Sequence, residues 1–340
     1  MNTNKILILG IESSCDDTGA AIVDENFKVH SSIVSSQTVH EKFGGVLPEL
    51  ASREHIRNIL PIIDFALRRA RVDLNEVSAV AVSTGPGLIG SLIVGLSFAK
   101  SFAYSLSRPL IAVNHIFAHV WANFLEHPEL SFPFLALIVS GGHTELVHFI
   151  DERNFKVLGK TVDDAAGEAF DKIGKLLGLP YPGGPAIDKI SQKGDKNKIR
   201  FPLPMIEQDN FDFSFSGLKT AAALYLQDND IKPNSPEVYD FAASFQNAIV
   251  EVLFRKTTVA GEKLGLNTIV LAGGVAANTT LRSRFNKYGK EHHISIYFPS
   301  PRLCTDNAAM IAAAGITKYR NKEFTELSIN ASSIKGLYSV

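Results

Sequence analysis

The chain has 340 residues, of which 45% are hydrophobic, and a formal net charge of −1. That length suits two domains with full cores. The charge balance excludes a globally basic nucleic-acid binder, so contact with a polyanion must come from local patches or from partner proteins. Two cysteines, Cys15 and Cys304, exclude a disulfide scaffold.

Ile6 to Ile11 is an apolar run too short for a signal peptide and reads as a first strand. A polar turn, Glu12 to Gly19, follows, then a strand from Ala20 to Val23. Glu54 to Arg71 has helical spacing, with Ile56, Ile59, Leu60, Ile63 and Leu67 expected on the buried side. Ala79 to Ser83 is a strand. The apolar stretch from Leu88 to Leu106 carries Lys100 and several serines, so it reads as a buried helix and not a membrane span. Leu110 to Val113 is a strand, after which Asn114 can cap a helix beginning near His115.

Phe134 to Val139 is a strand that ends in Ser140-Gly-Gly-His-Thr144 and resumes from Glu145 to Ile150. Asp163 to Leu177 is predicted helical and 181–185 a loop. Residues 192–200 form a basic excursion, with Lys193, Lys196, Lys198 and Arg200 as a local candidate for RNA contact. A long helix lies within Pro236 to Leu264. The strand Thr268 to Leu271 runs into Gly273 and Gly274, expected at a helix N-terminus. Asp306 precedes an Ala-rich helix, Asn307 to Tyr319. Strands alternate with helices, and strand–turn–strand occurs twice about 130 residues apart. An α/β fold with an internal duplication follows.

His115 and His119 are four residues apart and share one helix face, so they can grip one metal ion. A zinc protease needs Glu directly after the first His; here that position is Ile116. Asp306 is the candidate third ligand, and it can also serve as N-cap of the helix after it. The glycines at strand ends, near Gly19, at Gly141 and Gly142, and at Gly273 and Gly274, let backbone amides approach an anion. None forms a Walker A loop. Asp16 and Asp17 can be solvated or capping turn acids, or in a phosphate cleft can hold a hydrated Mg²⁺ or steer substrate. Asp171 and Asp188 read as surface residues.

In order along the chain, Gly10-Ile-Glu-Ser-Ser-Cys-Asp-Asp-Thr18, Gly44-Gly-Val-Leu-Pro-Glu-Leu-Ala-Ser-Arg53, Thr84-Gly-Pro-Gly-Leu88, Asn114-His-Ile-Phe-Ala-His119, Ser140-Gly-Gly-His-Thr144, Phe213-Ser-Phe-Ser-Gly-Leu-Lys219 and Gly273-Gly-Val-Ala-Ala-Asn278 appear. With them the chain resembles the tRNA threonylcarbamoyladenosine-forming transferases, once described as O-sialoglycoprotein endopeptidases. The second of the paired acids is often Glu in that family and is Asp17 here.

The resemblance implies an actin/hexokinase/heat-shock ATPase-like fold, two ribonuclease-H-like subdomains around a central cleft. The first would span 1–130, completed by 306–340, and the second 131–305. It implies transfer of a threonylcarbamoyl group from threonylcarbamoyl-AMP to the exocyclic amine of adenosine 37 in tRNAs reading ANN codons. His115, His119 and Asp306 would hold one divalent metal, usually assigned as iron, with zinc also fitting. Ser140, Gly141, Gly142, His143, Thr144, Asp171, Gly184, Asp188 and Asn278 would bind substrate, and Asp16 and Asp17 are the catalytic candidates. Expected partners are tRNA, a degenerate paralogue and a small P-loop ATPase, in the cytoplasm with no membrane contact. The alternatives are a small-molecule kinase of the same fold, a metal-dependent glycoprotease, or a non-catalytic nucleotide-binding scaffold.

Overall fold

A computed structural model describes residues 5–43, 45–231 and 235–333. Gly44, which opens the 44–53 motif, lies outside the described residues. The chain divides into two compact units, Met1–Leu130 with Thr305–Val340, and Ser131–Cys304.

Unit 1 begins with β1 (Leu7–Glu12), β2 (Asp17–Asp24) and β3 (Val29–Ser36). Then come α1 (Pro48–Ala70), β4 (Ala79–Gly85), α2 (Ile89–Ser105), β5 (Leu110–Asn114) and α3 (His115–Trp121). Unit 2 holds β6 (Phe134–Val139), β7 (Thr144–Phe149), β8 (Phe155–Lys160), α4 (Ala166–Leu176), α5 (Gly183–Ser191), α6 (Ser216–Asp228) and α7 (Glu237–Leu264). It ends with β9 (Thr268–Ala272), α8 (Thr279–His292), β10 (Ser295–Tyr297) and a single turn, α9 (Pro301–Cys304). The chain then returns to unit 1 with α10 (Ala308–Arg320).

The duplication is visible in the sheets. Unit 1 has the order β3-β2-β1-β4-β5 and unit 2 the order β8-β7-β6-β9-β10. In each, the first three strands in sequence are antiparallel and the next two add in parallel. Both central strands, β1 and β6, are buried along their whole length. A sheet covered on both faces requires such continuous apolar runs. In unit 1 one cover is α10, and it lies very close: a Cβ on Gly10 of β1 would come within 2.3 Å of the Ala308 carbonyl oxygen. That approach explains the small residues of α10.

Several expectations are corrected. The first polar turn is only Ser13 to Asp16, because Glu12 still belongs to β1, and Asp17, Thr18 and Gly19 already belong to β2. The buried face of α1 carries Ile59, Ile62, Ile63, Ala66 and Leu67, together with Ala51 and His55. Ile56 and Leu60, expected inside, are 65% and 62% exposed. The helix expected from Asp163 starts at Ala166. The 181–185 loop is already helical from Gly183. Gly274 opens a short 3-10 turn through Ala277, and Asn278 caps α8 by accepting from the Leu281 amide at 2.9 Å. Among the described residues, no helix is long and apolar enough to cross a membrane.

Candidate metal and substrate centre

In unit 1, the side-chain oxygen of Asn114 accepts from the amides of Ile116 and Phe117, which fixes the start of α3 at His115. The rings of His115 and His119 then stack edge to face, with centroids 4.8 Å apart. Trp121 ties α3 to α10 by donating to the Thr317 hydroxyl at 2.6 Å. The cap of α10 is Asn307, which accepts from the Met310 amide, so Asp306 is not the cap expected of it. Its carboxylate is free to face the histidines. Oδ1 of Asp306 stands 3.4 Å from Nε2 of both rings.

Two ligand atoms each about 2.1 Å from an ion, at a tetrahedral angle, stand about 3.4 Å apart. The spacing therefore suits a shared ion better than a hydrogen bond. All three ligand atoms lie within 4.8 Å of one another. His119 is 1% exposed, yet neither of its ring nitrogens makes a hydrogen bond within the described residues. Such an unmatched buried atom costs about 1–3 kcal/mol, which coordination would offset. The residues present fit a metal.

His115 is oriented from behind. Its Nδ1 lies 3.1 Å from Oε2 of Glu12 and 3.2 Å from the Ser14 hydroxyl. Glu12 is fully buried, and its other oxygen accepts from the Ser14 amide. A carboxylate on Nδ1 places the proton there and leaves Nε2 as the ligand. Burial alone would lower the basicity of His115, but Asp306 and Glu12 more than reverse this and hold its pKa well above the usual histidine value. Burial would likewise raise Asp306, and His115 and then His119 hold its carboxyl far below the usual range. The negative charge of Glu12 and Asp306 beside the two imidazoles favours a cation there.

Asp17 is pushed up to about 7, chiefly by burial, with Ser36 opposing and Asp306, Asp16 and Glu12 adding to the rise. Burial and then Asp16 push the Cys15 thiol far up, which favours the protonated form. His55 braces this turn: Nε2 donates to the Cys15 carbonyl at 2.9 Å and Nδ1 accepts from the Thr18 hydroxyl at 2.7 Å.

In unit 2, the turn between β6 and β7 closes on itself, with the Ser140 amide donating to the His143 carbonyl at 2.8 Å. It sits at the start of α4, where Gly167 packs on the Ser140 carbonyl. Thr144 lies in β7, fully buried, and its hydroxyl accepts from the Ala166 amide at 3.0 Å. Asp171 and Asp188 are not free surface acids. Oδ1 of Asp171 accepts from the Gly183 amide at 2.8 Å and the Gly184 amide at 3.4 Å. Burial raises its carboxyl, and those two amides pull it back. Asp188 accepts from both the amide and the hydroxyl of Thr279 at the start of α8. Beside it, Nδ2 of Asn278 donates to Gln246 at 2.7 Å. Thus Asp171 is joined to Gly184 on one side of α5, and Asp188 to the residue after Asn278 on another.

A family model described as tRNA N6-adenosine threonylcarbamoyltransferase matches residues 28–313. The chain belongs to that family. Relatives of that name include one from Thermosipho africanus, 49% identical over 96% of this chain and 98% of the relative. Another, from Kosmotoga olearia, is 51% identical over 95% and 97%. The protein is therefore a transferase that modifies tRNA, forming threonylcarbamoyladenosine.

Among solved structures, full-length HypF in its phosphate- and nucleotide-bound form is similar with a TM-score of 0.62, at 16% identity over 94% of this chain and 56% of that one. Component A of (R)-2-hydroxyglutaryl-CoA dehydratase from Acidaminococcus fermentans gives 0.55, at 12% identity over 93% and 99%. At such identity the likeness carries the fold alone, an actin/hexokinase/heat-shock ATPase-like one.

Two groups in this transferase escaped the sequence reading. Glu12 did, although an acid at the end of a wholly apolar strand was the available signal. So did Asp163, which accepts from the hydroxyls of Ser214 and Ser216 and the amides of Phe215 and Ser216, fixing the start of α6. Ile116, where a zinc peptidase has its general base, is 1% exposed and packed in the core.

Proposed function

We propose that the enzyme transfers the threonylcarbamoyl group from threonylcarbamoyl-AMP to the exocyclic amine of adenosine 37 in tRNAs reading ANN codons. What carries this reading is the set of two buried histidines and one half-buried carboxylate, with Glu12 behind it, in a chain of this family. In the reaction the amine nitrogen attacks the carbonyl carbon. A C–N bond forms, the C–O bond to AMP breaks, and the amine loses a proton. Adenine's amine is a weak nucleophile, so the mixed anhydride supplies the good leaving group. Alignment of the two partners can contribute up to about 10 kcal/mol.

His115, His119 and Asp306 would hold one divalent metal, iron, with zinc as the other ion that suits the donors. When bound, it supplies Lewis-acid polarisation of a substrate oxygen. Asp17 is assigned as acceptor of the amine proton, since a base works best with a pKa near the operating pH. Asp16 is the neighbouring alternative. In unit 2, Gly141 and Gly142 would meet the acyl adenylate's phosphate through backbone amides, in a turn that Ser140, His143 and Thr144 shape around the substrate. Gly184 and Asn278 would border its nucleoside. Asp171 and Asp188 would receive its hydroxyls, since each carboxylate retains lone pairs beyond those already used.

The near-neutral charge supports sharing the tRNA with partners in the cytoplasm, a degenerate paralogue and a small P-loop ATPase. The exposed apolar side chains Ile56 and Leu60 on α1 and Ile89 and Ile93 on α2 are consistent with a protein partner. The test is nucleoside mass spectrometry after incubation of the purified chain and partners with threonylcarbamoyl-AMP and unmodified tRNA. Threonylcarbamoyladenosine should form in ANN-reading tRNA and vanish when guanosine replaces adenosine 37. Product from the guanosine variant would reject the assignment.

A further inference from the structure

Unit 2 also contains a cavity of about 720 Å³ between the 192–197 segment, α7 and α8. Thr279, Thr280, Ser283, Arg284 and Lys287 line it from one face of α8. Asn247 and Glu251 face them from α7, with Gln192, Lys196 and Asn197 on the third side. None of these residues is aliphatic or aromatic. A small-molecule pocket is mostly apolar, so this is not the shape of one. It has no aromatic platform for stacking bases, and its one guanidinium, on Arg284, is engaged by Glu251. Hydroxyls, amides and cations are the groups that contact phosphate and ribose.

The charge is positive. Glu251 is the one acid in the lining, against Lys196, Arg284 and Lys287, a balance of +2. Glu251 is also paired with both Arg284 and Arg255, and these hold its carboxyl below the usual range against its burial. Lys287 reaches Glu291 only at 3.8 Å, and both are largely exposed, so that pair is weak.

The basic segment is pinned. The Asp195 amide donates to Asp240 at 2.7 Å and the Ile199 amide to the Ser244 hydroxyl at 3.1 Å. Gly194 lies so close to α7 that a Cβ would come within 2.0 Å of the Tyr239 carbonyl oxygen. Lys193 is held over the Tyr239 ring at 5.3 Å. Of the four basic residues singled out in the sequence, Lys196 alone lines the cavity.

We propose that this groove binds a stretch of RNA sugar–phosphate backbone, docking the tRNA without reading its bases. The proposal rests on tRNA being the enzyme's substrate. The test compares the full-length protein with Lys196→Ala/Lys287→Ala, using an unmodified ANN-reading tRNA transcript. Both lysines are exposed, and circular dichroism should show an unchanged fold. The slope of log affinity against log salt should shrink by about 1.4–1.8, since each lost phosphate contact removes about 0.7–0.9. In steady-state modification the KM for tRNA should rise about tenfold, with kcat and the KM for the acyl adenylate unchanged. Lys196→Arg/Lys287→Arg should restore both readouts. An unchanged salt slope and tRNA KM would overturn the proposal, as would a rise confined to the acyl adenylate's KM. If the wild type makes no product but the salt slope still shrinks, the reaction assignment fails and the groove stands.

Discussion

The same turn occurs once in each unit, and the two copies have opposite chemistry. In unit 1, Ser13 to Asp16 joins β1 to β2; in unit 2, Ser140 to His143 joins β6 to β7. Both are four residues long and occupy the same place in matching sheets. The first contains Asp16 and is bracketed by Glu12 and Asp17, with a buried carboxylate braced on an imidazole. The second has no acid and two glycines whose Cβ positions face open space. One copy gathers negative charge and suits a cation; the other bares backbone amides and suits an anion. Duplication has conserved the scaffold, and the turns have diverged in sign.

The strongest way to break this contrast is to remove the cation's ligands. His115→Ala, His119→Ala or Asp306→Ala should each lower bound metal to trace levels and cut tRNA modification by more than about a hundredfold, with circular dichroism unchanged. Elemental analysis of tag-free protein and nucleoside mass spectrometry check this. Full activity in any two of the three would refute the metal assignment.

Glu12→Gln comes next. It keeps the size of the side chain and removes the charge behind His115. Losses of about 10–100-fold in metal affinity and activity are expected, as for other carboxylates that support a ligating histidine. Wild-type metal affinity would reduce Glu12 to packing.

The glycine turn should respond differently. Gly141→Ala and Gly142→Ala meet no neighbour within 4 Å, and neither glycine has a positive φ. Stability should hold or rise by about 0.4–1 kcal/mol, because alanine restricts the unfolded chain. The KM for the acyl adenylate should nevertheless rise several-fold. An unchanged KM would show that the turn does not meet substrate.

The smallest effect concerns Asp17 in metal-free protein. Its folded pKa, about 7, lies above the ordinary aspartate value. Between about pH 4 and 7 the native state therefore holds the proton more tightly than the unfolded chain, and stability falls as pH rises. Asp17→Asn mimics the protonated form. It should raise the melting temperature by a few degrees at pH 8 and leave it unchanged at pH 3. Equal shifts at both values would mean that Asp17 is not perturbed.

Much of this was legible in the sequence, for identifiable reasons. Phe134–Val139 announced itself because a strand covered on both faces must be apolar throughout. His115 and His119 were legible because helical spacing is rigid. The face of α1 was not. Its buried side includes Ala51, Ala66 and a histidine bonded to Thr18 and Cys15, which hydrophobic periodicity does not count. Glu12 was hidden because its partner is 103 residues away, and Asp306, legible as a third ligand, left capping open as a second role because the true cap, Asn307, is its neighbour.

The return of α10 to unit 1 has a consequence for biosynthesis. His115 and His119 leave the ribosome roughly 190 residues before Asp306. Unit 2 can be complete while unit 1 still lacks both the helix that covers β1 and the carboxylate that completes its ion site. Although N-terminal segments generally fold first, here the first unit begun is the last finished. A chain stalled before Asp306 would carry an intact second unit and an incomplete set of candidate metal ligands.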